Sequence, residues 1–148
     1  MAVGTGAPVR TPVQTAAAVV GIVFLLVGVL GFIPGITTNY DQLTFAGHMS
    51  GAALLGIFNV SILHNIVHLL FGVVGLLEAR TPGGARSYLL VGGIIYLVLF
   101  IYGLVIPMDG PANFVPVNSA DNVLHLILAI AMVGLGVALG RRSPSMRR

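Results

Sequence analysis

The sequence predicts an all-α fold: an integral membrane four-helix bundle made of two similar helix hairpins. Three observations predict it. Hydrophobic residues make up 57% of the 148 residues and charged residues only 7%, whereas soluble domains carry roughly a quarter charged residues. Apolar runs long enough to cross about 30 Å of hydrocarbon recur along the chain. An Asn-x-x-His signature occurs twice, at Asn65/His68 and at Asn122/His125.

The predicted helices cover about 12–33, 61–79, 88–106 and 120–140 in a single domain of 1–148, with disordered tails at 1–11 and 143–148. Thr11-Pro12-Val13-Gln14 opens the first run as a capping box with proline at the first helical position. The run is too long for a signal-peptide core and lacks a close small-x-small cleavage site, so it reads as a retained helix. Residues 45–60 carry Gly47, Gly51, Gly56 and Asn59 and read as a loop with a short interfacial or re-entrant segment. Ser61 is a plausible N-cap for the second helix. Arg80-Thr81-Pro82-Gly83-Gly84 reads as a tight basic turn, Pro107 stops the third helix, and Ser119 precedes the fourth.

All seven basic residues are arginine, and the net charge is +3. Arg10, Arg80, Arg86, Arg141, Arg142, Arg147 and Arg148 fall before helix one, between helices two and three, or after helix four. Four crossings put those regions on one side, which the positive-inside rule makes the cytoplasm, with both termini. No basic stripe lies within a folded element, so a nucleic-acid partner is excluded. The chain has no cysteine, which excludes disulfides and thiolate chemistry.

The halves resemble each other. VSILHNIVHLL from Val60 aligns without gaps with VNSADNVLHLI from Val117, and Gly21-Ile22-Val23-Phe24-Leu25 aligns with Gly93-Ile94-Ile95-Tyr96-Leu97. Parallel repeats of this kind are related by an axis along the membrane normal.

Asn65, His68, Asn122 and His125 form a predicted polar intramembrane site, because residues three apart share a helix face and polar groups inside a membrane mark function. Gly21, Gly28, Gly72, Gly75, Gly92 and Gly136 supply predicted helix-packing surfaces. Three readings follow. In the first, the amides and imidazoles fix the bundle through hydrogen bonds between helices. In the second, His64, His68, Asp121 and His125 hold a divalent metal, or the paired histidines hold haem. In the third, the bundle is a small channel or transporter, but its helix centres lack the ionisable relay that proton coupling requires. No catalytic residue and no cofactor is predicted on the first reading. Tyr40, Tyr88 and Tyr102 read as interface anchors.

The strings LGIFNVSILHNIVHLLFGVVGLLEAR, YLLVGGIIYLVLFIYGLV and VPVNSADNVLHLILAIAMVGLG resemble the bacterial membrane family catalogued as domain of unknown function 4383. The family's H-N-x-x-H-L and D-N-x-x-H-L patterns stand here at His64–Leu69 and Asp121–Leu126. The resemblance implies a bacterial inner-membrane protein of four helices and supplies no activity. The expectation is a non-enzymatic multi-pass membrane protein acting through membrane lipid or partners, as a homo-oligomer or within a larger complex.

Overall fold

A computed structural model describes residues 9–140. The elements are α1 (Pro12–Leu30), β1 (Thr37–Thr38), a single 3-10 turn (Tyr40–Gln42), β2 (Ala53–Leu54), β3 (Phe58–Asn59), α2 (Ile62–Glu78), α3 (Pro82–Val105) and α4 (Ser119–Gly140). The fold is all-α, with one small antiparallel sheet in the order β1-β2-β3. Arg141, Arg142, Arg147, Arg148 and the greater part of the expected tails lie outside the described residues.

Each helix start follows from local chemistry. Gln14 Oε1 accepts the Thr11 backbone N–H at 3.0 Å, while its Nε2 donates to the Ala79 carbonyl at 3.0 Å and the Arg80 carbonyl at 2.9 Å. One side chain thus caps α1 and fastens it to the end of α2. The Ser61 hydroxyl accepts the His64 N–H at 3.1 Å and caps α2. Asn118 and Asp121 cap α4 reciprocally: Asn118 Oδ1 accepts from Asp121 N at 2.9 Å, and Asp121 Oδ2 accepts from Asn118 N at 2.9 Å.

The third helix starts earlier than the sequence suggested. Pro82 is its first residue, not Tyr88, and the Thr81 hydroxyl accepts the Gly84 N–H at 3.0 Å as the cap. Pro82-Gly83-Gly84, which reads as a turn, is its first turn, because proline suits that position and lacks the N–H that would go unbonded there. The first helix ends at Leu30, short of the expected Ile33. Residues 45–52 are irregular loop, and 53–59 form β2, β3 and their connecting turn, with Leu55 at φ 55° and Gly56 at φ 70° in the left-handed region.

α1 packs mainly along α2 and α3 along α4, and α1 and α3 also meet each other. At the α1/α2 crossing a Cβ on Gly21 would stand 3.0 Å from the Gly72 carbonyl oxygen, and a Cβ on Gly72 would stand 2.7 Å from the Gly21 carbonyl oxygen. Only glycines allow that approach, and in lipid close packing of this kind drives helix association. The core is Ala17, Phe24, Leu89, Tyr96, Ala129 and Met132, with their neighbours. Outward faces carry Ile22, Leu26, Leu70, Val91, Ile94, Val98, Ile127 and Ile130, all exposed. α1, α3 and α4 are long and apolar enough to cross a bilayer, which marks the chain as a membrane protein. α2, at 17 residues, reaches about 25 Å.

The start of α1 lies beside the end of α2, and a Cβ on Gly140 would strike the Arg86 side chain. Arg10, Arg80, Arg86 and the end of α4 therefore share one end of the bundle, and the small sheet covers the other.

Candidate functional site

The site sits one to two turns below the sheet-covered end. The i, i+4 spacing on α2 stacks the His64 and His68 rings, with centroids 4.5 Å apart and planes at 11°. His68 Nδ1 lies 2.9 Å from the His64 carbonyl oxygen. A carbonyl only accepts, so Nδ1 carries the hydrogen and Nε2 keeps the lone pair in the neutral ring. His125 comes in from α4 against Tyr96, at a centroid distance of 5.4 Å.

Two cavities flank this group, and His64, His68, Tyr96 and His125 line both. One of about 140 Å³ lies between α1 and α4, walled by Val27, Leu124 and Leu128 and roofed by Leu54, Leu55 and Phe58 of the sheet layer. The other, of about 180 Å³, lies between α2 and α3, walled by Leu63, Val67 and Leu99 and roofed by Phe114 and Val115. His64 Nδ1 and His125 Nδ1 are buried without a hydrogen-bond partner. A buried polar atom left in that condition costs about 1–3 kcal/mol.

Of the four residues expected to form the polar site, the structure gathers His68 and His125 and leaves the two asparagines apart. Asn65 is 1% exposed, and its amide lies where a Cβ on Gly31 would go. Asn122 lies in the same relation to Gly103. Neither asparagine lines a cavity beside the histidines. Both amide atoms of Asn65 and the Oδ1 of Asn122 are buried without partners.

Asp121 lines the first cavity, but its Oδ2 accepts from Asn59 N at 3.0 Å as well as from Asn118 N. The carboxylate is thus committed to holding β3 against α4. Among the described residues no group of three or more His, Asp or Glu is placed to hold a metal ion. The cavities are also smaller than the roughly 300 Å³ at which pockets for drug-sized ligands begin, so a haem macrocycle does not fit either one as it stands.

Sequence reasoning missed Phe24 and placed Tyr88 differently. Tyr88 is 5% exposed and donates to the Phe71 carbonyl at 3.2 Å, so it is a core residue and not an interface anchor. Phe24 packs on His68 at 5.6 Å and stacks on Tyr96 at 5.4 Å and 18°. The signal for it was the alignment that sets Phe24 beneath Tyr96.

The same alignment organises the other contacts. A Cβ on Gly21 would meet Gly72 O and Leu76 N; one on Gly93 would meet Ala129 O and Val133 N. Gly31 faces Asn65 as Gly103 faces Asn122. Phe24 packs on His68 as Tyr96 packs on His125. Val27 and Leu124 wall one cavity, and Leu99 and Val67 wall the other. Each second pair follows from the first at the same two offsets, one for α1 to α3 and one for α2 to α4.

A family model described as Domain of unknown function (DUF4383) matches residues 14–138. Comparison with curated proteins and with solved structures finds no match.

Proposed function

The chain belongs to the DUF4383 family, and from that premise we propose that it is a non-enzymatic multi-pass membrane protein that holds a lipid-soluble molecule between two similar hairpins. The hairpins, α1–α2 and α3–α4, derive on this reading from an internal repeat. Their pseudo-twofold axis passes between Phe24 and Tyr96 along the membrane normal. In support, equivalent residues make equivalent contacts in both halves, and the two cavities exchange under the same operation.

The arginine end faces the cytoplasm of a bacterial inner membrane, by the positive-inside rule. The histidine end lies in the outer leaflet, under the sheet. The apolar outer faces of all four helices contact lipid and supply the surface through which further copies or a larger complex would join.

One observation carries the ligand-holding reading. His64, His68 and His125 line two cavities whose walls are otherwise aliphatic or aromatic apart from the Asp121 carboxylate, and Nδ1 of His64 and of His125 has no hydrogen-bond partner. Binding sites combine a mostly apolar lining with a few convergent polar groups in this way.

The test is an organic extract of the purified protein, analysed by mass spectrometry. The unmodified chain should yield one enriched small molecule near equimolar amount. A Val67→Phe/Leu124→Phe variant, which fills both cavities, should lose it. Identical extracts from the two proteins would remove the reading.

A further inference from the structure

We infer that the molecule held beside the histidines is a single six-membered ring bearing a hydroxyl group, with its O–H donated to Nε2 of His68. The inference rests on the ligand-holding reading above and adds the chemical class.

Size carries the first step. The cavities measure about 140 Å³ and 180 Å³. An apolar cavity of about 150 Å³ takes benzene, so each side accommodates one ring.

The walls carry the second step. Tyr96 lines both cavities, aliphatic side chains of Val27, Leu124, Val67 and Leu99 close their sides, and the one carboxylate in the lining, Asp121, is engaged by Asn59 N and Asn118 N. Such walls favour an aromatic or apolar body over a sugar or an ion. The cavities lie in the crevices between the hairpins, so the molecule arrives from lipid.

Hydrogen-bond sense carries the third step. The His64 carbonyl takes the Nδ1 hydrogen of His68 at 2.9 Å, which leaves Nε2 as an acceptor. The group that meets it must donate. A ring hydroxyl does so; a ring carbonyl or ether does not.

The test uses the full chain in nanodiscs and fluorine NMR. The probes are para-fluorophenol and para-fluoroanisole, which differ by a methyl cap on the oxygen. Para-fluorophenol should show a saturable shift absent from protein-free nanodiscs, and para-fluoroanisole should bind about tenfold more weakly, as loss of one buried hydrogen bond implies. His68→Phe, which keeps a ring in place, should bring the two probes to equal affinity. Val67→Phe/Leu124→Phe should abolish both signals. Equal affinity of the two probes for the unmodified protein overturns the inference without needing any variant to fold. So does undiminished phenol binding by His68→Phe. If neither probe saturates while the organic extract still yields a bound molecule, the ring-hydroxyl class falls and the ligand-holding reading stands. If the extract is also blank, both fall.

Discussion

Phe24 and Tyr96 stack face to face, with centroids 5.4 Å apart and planes at 18°, and join the two halves of the molecule at their centre. Phe71 closes the cluster edge-on, 4.9 Å from Phe24 and 5.8 Å from Tyr96. Phe24 is 2% exposed, so removing its ring opens a cavity at the junction of α1 and α3. Phe24→Ala is expected to lower stability by about 3–5 kcal/mol. Tyr96→Phe keeps the stack and should cost far less. Unfolding of each variant in mixed micelles, followed by circular dichroism, measures the difference.

The fit of Asn65 beneath Gly31 makes a second, sharper expectation. Gly31→Ala places a methyl group where the Asn65 amide lies, and such overpacking costs about 1–3 kcal/mol. Asn65→Ala alone removes an amide with no hydrogen-bond partner, so its own cost should be small. The double variant should be more stable than Gly31→Ala. A coupling energy near zero in that double-mutant cycle would show that the two positions do not press on each other. Gly103 and Asn122 should repeat the pattern.

Asp121 ties the sheet layer to α4. Asp121→Ala loses the bonds to Asn59 N at 3.0 Å and Asn118 N at 2.9 Å, and should destabilise the protein by about 2 kcal/mol, in the range for a lost cap and charge-assisted bonds. Asp121→Asn retains an acceptor oxygen and should cost less. Limited proteolysis should cut the 31–61 connection faster in the alanine variant. An unchanged cutting rate would mean that the layer is held elsewhere.

The orientation is checked by reporters. A reporter fused after Arg148 should be accessible only from the cytoplasm, and one inserted at Gly110 only from the outside. The reverse pattern would invert the molecule and place the histidines in the inner leaflet.

The helices were legible because apolar length and proline or serine signals are local. Residues 12–30, 62–78 and 119–140 follow from them closely. The start of α3 was not, because Pro82-Gly83-Gly84 has turn composition and only the Thr81 cap resolves it into helix. The i, i+4 spacing placed His64 above His68. No local rule tells which side of α2 the Asn65 amide takes, and it lies under Gly31, away from the cavities. Tyr88 was misplaced for a related reason: its position near an apparent turn suggested an interface, but the earlier start of α3 carries it a turn and a half into the helix. The cavities depend on side chains from all four helices and the sheet layer, so no segment of sequence announces them.

The clasp formed by Asn118 and Asp121 bears on biogenesis. Asn118 Nδ2 donates to the Ile57 carbonyl at 2.7 Å, and Asp121 takes the Asn59 N–H. The Phe114 carbonyl accepts from Gly47 N at 2.6 Å. Each fastening partner lies more than fifty residues downstream of what it fastens. As the ribosome delivers the chain, α1 and α2 emerge before the residues that latch the sheet layer have been made. The chamber over His64 and His68 is therefore sealed last, when the second half emerges and snaps the cover shut.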